Sequence, residues 1–301
     1  MNLQKMFRTM DTQVFGEAYR IIVHSPFNFE SLDALSNQKK LESHFESEKN
    51  LLLNEPRGHR GMNGCIVGAS AVADYQLLFL HHQEAIDFKY EALLATTAAL
   101  LEIGHLQEKE DGQYTVETVH GVWNVKAVVE QQEVTAVRME VAEGKMVEND
   151  SEASCVKLTS GHMFYIYSLP PSIKSLQLGQ LSEILEWGAV QVKELKSQQK
   201  AFDGIILKEQ LTAHEYRSVT FEQDGYILRS PGIESTIALA VNEQHAIGSL
   251  SNQSIFESKI EIQSVPGDRG LFTVGSVPYI TGSHEFILDP EDPLPKGFIL
   301  A

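Results

Sequence analysis

The chain has 301 residues, 43% of them hydrophobic and 22% charged, enough to bury the core of one large domain or two ordinary ones. Its 24 Lys and Arg against 41 Asp and Glu give a formal charge of -17, which disfavours nucleic acid and anionic membrane surfaces as partners. Two cysteines, Cys65 and Cys155, are too few and too widely spaced for a disulfide framework or a zinc site.

Residues 1–30 alternate as a strand pair around Gly16, with no apolar stretch of the secretory kind before it, so a cytoplasmic protein is expected. Residues 29–50 are polar and charged and read as one surface helix capped by Ser31. The run from Asn54 to Gly64 holds three glycines and a proline and reads as a loop. Strands are expected over Cys65–Ser70 and Gln76–His81. From Leu93 to Leu101 the chain is apolar on nearly every face, so that helix belongs inside a core, and Gly104 ends it as the C′ residue. Tyr114 to Val141 alternates as consecutive strands. Ala142 to Ala153 is acidic and polar and reads as a flexible connection. Leu181, Ile184, Leu185, Gly188, Val192 and Leu195 form one apolar stripe of an amphipathic helix over 180–196. Strands follow at 204–207 and 217–228, then a second helix over Ser235–Asn242, then short strands to Ile299. Strands followed by a buried helix thus occur in each half, which predicts two α+β halves joined near 120–150.

Several segments together resemble the proline racemase family, which includes hydroxyproline epimerases and trans-3-hydroxyproline dehydratases. Asp11-Thr12-Gln13-Val14-Phe15-Gly16-Glu17 resembles its DTHxxGEP segment, and Glu55-Pro56-Arg57-Gly58-His59 with Met62 and Gly64 resembles EPRGHxxMxG. Ser160-Gly161-His162-Met163-Phe164-Tyr165 resembles a GGxF strand, and Arg229-Ser230-Pro231 the RSP before a catalytic helix. Tyr279-Ile280-Thr281-Gly282 resembles ITG, and Leu288 to Leu294 with Gly297 and Phe298 resembles DPxDPLxxGF. The resemblance implies a diaminopimelate-epimerase-like α/β (α+β) fold with two pseudo-symmetric lobes, each a sheet wrapped around a central helix. The first lobe would take 1–125 plus about 288–301 and the second 126–287. It also implies a site between the lobes, a homodimer or a pair with a relative, and no metal or organic cofactor.

Inverting a carbon beside a carboxylate needs two bases facing each other across the substrate. The family uses two thiols, each at a helix start where the dipole favours a thiolate and backbone N–H groups hold the substrate carboxylate. At the family's first helix start, MCGHG, this chain has Phe88, Lys89, Tyr90, Glu91 and Ala92, so Lys89 takes the thiol position. At the second, DRSPCGTGTSA, it has Leu228 to Ala238, so Gly232 takes the thiol position and Leu228 that of the amine-binding Asp. The family's early His is Gln13, and neither Cys65 nor Cys155 aligns with a thiol.

No catalytic residue carries over. The expected ligand cleft comprises Lys89, Tyr90, Glu91, Gly232, Ile233, Glu234, Ser235, Thr236 and His59. Tyr90 and Ile233 add bulk where the family has glycine, and Glu91 and Glu234 oppose an anionic carboxylate. Lys89 is either a new base, working with Glu91 or Glu234, or an ion-pair partner of one of them. His59 reads as a loop-packing residue, and His81-His82 lacks a third ligand for a metal. Two functions follow: a pseudoenzyme that binds a small molecule or a protein, or an isomerase or lyase acting on a proline-like or other amino or imino acid by an altered mechanism using Lys89.

Overall fold

The computed structural model describes residues 5–27, 29, 32–82, 88–149, 152–243, 248–267, 270–289 and 291–299. It divides into two compact units, Met1–Met139 with Ser276–Ala301, and Glu140–Gly275.

The first unit begins with β1 (Lys5–Val14) and β2 (Glu17–His24), followed by α1 (Ala34–His44) and α2 (Glu46–Leu53). Then come β3 (Met62–Gly68), β4 (Tyr75–Leu80) and α3 (Tyr90–Glu102), and after them β5 (Gln113–Thr118), β6 (Gly121–Glu130) and β7 (Glu133–Ala142). The second unit has β8 (Gly144–Asn149), β9 (Ala153–Leu158), β10 (Met163–Ser168), α4 (Leu181–Ser197), β11 (Gly204–Gln210) and β12 (Glu215–Glu222). It continues through α5 (Ile233–Asn242), β13 (Ser249–Gln253), β14 (Lys259–Ser264) and β15 (Leu271–Ser276). The last strand, β16 (Tyr279–Leu288), returns to the first unit and pairs antiparallel with β1.

The strand order is β16-β1-β2-β3-β4-β5-β6-β7 in the first unit and β15-β14-β13-β12-β11-β10-β9-β8 in the second. In each, the two parallel pairs are those whose strands are separated in sequence by helices. Helices α1 and α2 connect β2 to β3, and α3 connects β4 to β5. Likewise α4 connects β10 to β11, and α5 connects β12 to β13. Parallel neighbours require such crossovers, whereas the antiparallel pairs of strands consecutive in sequence close through short connections, and β16 reaches β1 only after the whole second unit. The two-lobed α/β plan expected from the resemblance is therefore present, with α3 and α5 in equivalent places.

Both helices are central. Every residue of α3 from Tyr90 to Leu100 is buried, as are Ile233 and Ser235 to Ala240 of α5. A helix apolar on all sides has no face for water, so strands must surround it. The chain leaves α3 through a Schellman turn: Gly104, at φ 70, donates to the Leu101 carbonyl and His105 to that of Leu100.

Four expectations change. Residues 29–50 form two helices divided at Phe45, and the first is capped by Asp33, whose carboxylate accepts from the Ser36 N–H at 2.8 Å. Ser31 lies outside the described residues, as does Pro290 of the DPxDPL segment. The expected flexible connection over 142–153 contains β8, a strand at the end of its sheet that is mostly exposed; with neither face buried, it shows no alternation. On α4, Ile184, Gly188, Val192 and Leu195 are buried, but Leu185 is 39% exposed and lies outside the stripe. The strand expected over 217–228 ends at Glu222, where a turn begins.

Candidate functional site

Helix α3 starts at Lys89, its N-cap, with φ -146 and ψ 129 and no side-chain cap bond. The residues on either side are held by aromatic packing. Phe88 meets Tyr90 edge-on at 4.7 Å, Trp123 at 5.0 Å and His120 at 5.4 Å between ring centroids. Tyr90 packs on Trp123 at 5.2 Å and is 3% exposed, so its bulk belongs to the core of its own unit. Glu91 is buried in the first turn, near the positive end of the helix. Lys89 is half-buried and lines a small cavity with Tyr19, Asn63, Cys65, Phe79 and His81. Burial, and then the charge of Lys89, hold the His81 imidazole well below its usual range.

Helix α5 starts at Gly232, its N-cap, with φ 74 and ψ 128. L side chains rarely adopt that conformation, and a Cβ there would lie 3.0 Å from Ser235 Oγ and 3.3 Å from Leu228 Cδ1. The turn is held from both sides. The Gly232 N–H donates to Ser230 Oγ at 3.1 Å, and the Gly232 carbonyl accepts from Thr236 Oγ1 at 2.7 Å. Asn252 Nδ2 donates to the Thr236 hydroxyl at 3.1 Å, and the Thr220 hydroxyl donates to that of Ser235 at 2.9 Å. Ile233 is fully buried.

Glu234 is the polar centre of this helix start. Ser160 Oγ donates to its Oε1 at 2.7 Å, and His162 Nδ1 lies 3.0 and 2.9 Å from its two oxygens. Both partners come from the tight turn between β9 and β10. Gly161, at φ 98, donates to the Leu158 carbonyl, and the Leu158 N–H donates back to the His162 carbonyl. Only about a fifth of the His162 side chain and 15% of the Glu234 side chain reach solvent.

The sequence singled out Glu234 but not Ser160 or His162. A signal was available: with Phe164 set on the Phe of GGxF, His162 stands where the pattern has its second glycine. The aromatic neighbours His120 and Trp123 were also not foreseen, because strand residues that meet only through tertiary packing leave no spacing to read.

The remaining candidates have local roles. His59 Nδ1 accepts from the Gly61 N–H at 3.1 Å, and the His59 carbonyl is 3.2 Å from His82 Nε2. Gln13 Oε1 accepts from the Gly16 N–H at 3.0 Å and closes the β1–β2 turn. Cys65 in β3 and Cys155 in β9 are both fully buried. Desolvation pushes the Cys65 thiol up to about 12 and raises Cys155 as well, so neither is poised as a thiolate. Among the described residues, no three His, Cys, Asp or Glu side chains converge as a metal site, and no helix is long and apolar enough to cross a membrane.

Known proteins resemble the chain over its whole length. The proline racemase family model matches residues 9–299. A trans-3-hydroxy-L-proline dehydratase of Bacillus cereus is 27% identical, with 100% of both chains covered. A proline racemase of Acetoanaerobium sticklandii is 22% identical over 99% of each. Among solved structures, that of a probable proline racemase from Agrobacterium radiobacter superposes with a TM-score of 0.81 at 18% identity, covering 98% of this chain and 96% of that one.

Proposed function

Because the chain belongs to the proline racemase family, we propose that it is a ligand-binding member that no longer inverts its ligand with two thiols. The ligand is a small molecule held at a helix start, where Glu91 or Glu234 stands in the first turn. One observation carries the reading. The position that the resemblance gives to the second thiol is Gly232, in a backbone conformation that glycine adopts freely and L side chains rarely do. The first thiol position holds Lys89. Inversion needs a base on each face, and a glycine supplies none. The two thiols the chain does have are buried in strands, with proton affinities raised by desolvation.

The test is chiral chromatography of L- and D-proline, trans-4-hydroxy-L-proline and trans-3-hydroxy-L-proline after incubation with the protein, with calorimetry on the same panel. Binding of at least one compound without inversion or loss of water is expected. Turnover that disappears in Lys89→Ala would replace this reading with an isomerase or lyase acting through the lysine.

A further inference from the structure

In the second unit, a groove of about 330 Å³ is lined by Glu143, Gly144, Lys145, Lys157, Leu158 and Thr159, at one end of the ribbon of β8 and β9. No residue of either helix start lines it. Its shape is fixed by the backbone. The Glu143 N–H donates to the Gly270 carbonyl at 2.7 Å, and the Glu143 carbonyl accepts from the Thr159 hydroxyl. A Cβ on Gly144 would overlap the Lys157 carbonyl oxygen, so glycine lets the chain close there. Lys145 and Lys157 are direct partners in the antiparallel register, so their side chains leave the same face of the ribbon. Both are exposed, and among the described residues neither forms an ion pair or a side-chain hydrogen bond. Like charges directly opposite each other repel. The chain has 41 acidic residues against 24 basic ones, yet no described carboxylate answers this pair. Lys200, by contrast, is paired with Glu148 of β8 at 3.1 Å. The Glu143 carboxylate also accepts no hydrogen bond from the described residues.

We propose that this groove binds a small soluble polyol or sugar phosphate, with Lys145 and Lys157 on the phosphate and Glu143 accepting from the hydroxyls. The volume is that of a small-molecule site. Two ammonium groups on one rung call for a ligand group of matching charge. A phosphate monoester carries about -1.5 to -2 at neutral pH on three acceptor oxygens, whereas a carboxylate carries a single charge. Glu143 repels a second anionic group and accepts from hydroxyls, so the remainder of the ligand is neutral and rich in donors. The formal charge of -17 disfavours the phosphates of nucleic acid or of a membrane, which leaves a small soluble ester.

The experiment titrates the intact protein by calorimetry with inorganic phosphate and with glycerol 3-phosphate, at fixed ionic strength because exposed charges are screened by salt. Both ligands are expected to bind, glycerol 3-phosphate the more tightly. Lys145→Gln and Lys157→Gln should each weaken both by about 10-fold, the worth of one hydrogen bond to a charged group. Lys145→Gln/Lys157→Gln together should abolish binding. Lys200→Gln removes a lysine that is already paired and should change neither affinity. Glu143→Ala should cancel the preference for glycerol 3-phosphate while phosphate binds at least as well as before. Circular dichroism establishes that each variant is folded. No binding of either ligand, or unchanged affinity in the folded double lysine variant, overturns the proposal. Equal affinity of the unsubstituted protein for the two ligands overturns the role of Glu143 and with it the polyol class.

Discussion

A cysteine at position 232 would have to hold φ 74 and sit 3.0 Å from Ser235 Oγ. Non-glycine residues in such conformations cost about 1–3 kcal/mol. Gly232→Cys is therefore expected to lower stability in urea denaturation by that amount, and Lys89→Cys/Gly232→Cys together to leave proline uninverted. Recovery of racemisation by the double variant would show that the α5 start relaxes to the family geometry. Glu234 is the residue whose surroundings depend most on the tertiary fold. Its position in the first turn was legible in the sequence, because Arg229-Ser230-Pro231 anchors the helix start. Its hydrogen-bonding partners were not, because Ser160 and His162 are 74 and 72 residues away.

Among the elements, α4 separates spacing from packing. Gly188 lies in its buried stripe, where an added Cβ would overlap the Phe221 ring. Replacing a helical glycine with alanine gains up to about 1 kcal/mol in backbone terms, but overpacking a tight contact costs about 1–3 kcal/mol. The contact is with an aromatic ring in the core, so packing wins and Gly188→Ala should destabilise. Leu185 lies at the edge of the same stripe and is 39% exposed, so Leu185→Lys should stay within about 0.5 kcal/mol. Thermal unfolding of the two variants side by side checks both; a stabilised Gly188→Ala would mean that the helix moves off β12 at little cost. Helical periodicity locates the stripe to within a residue, but which edge residue is covered depends on the elements beneath it. Strand β8 makes the same point from the other side: backbone pairing with β9 holds it, and its side chains carry no pattern to read.

At the scale of the whole molecule, segments far apart in sequence converge on the first unit. The Glu55 N–H and carbonyl exchange bonds with Phe298 at 2.9 and 3.0 Å, and Arg57 pairs with Asp292. A Cβ on Gly297, at φ 63, would overlap the Glu55 carbonyl oxygen. Asp11 and Arg20 form a buried ion pair at 2.7 Å, and Phe286 of β16 lies under the Arg20 guanidinium at 4.3 Å. The stretches that most strongly suggest the family are thus scaffold contacts. Removing residues 279–301 should weaken the first unit more than the second. The two tryptophans report separately, Trp123 from β6 and Trp187 from α4, so denaturation of Trp123→Phe and Trp187→Phe backgrounds measures each unit. Equal shifts of both transitions would mean that the units unfold as one. The sequence by itself determined the class of fold and the two buried helices, because apolar periodicity and motif order are local properties of the chain. Only the tertiary structure decided that Gly232 sits in a glycine-type conformation, that Tyr90 is packed into an aromatic cluster, and that Glu234 is bonded to His162. Backbone strain and side-chain contact arise from segments brought together by folding, and no spacing along the chain encodes them.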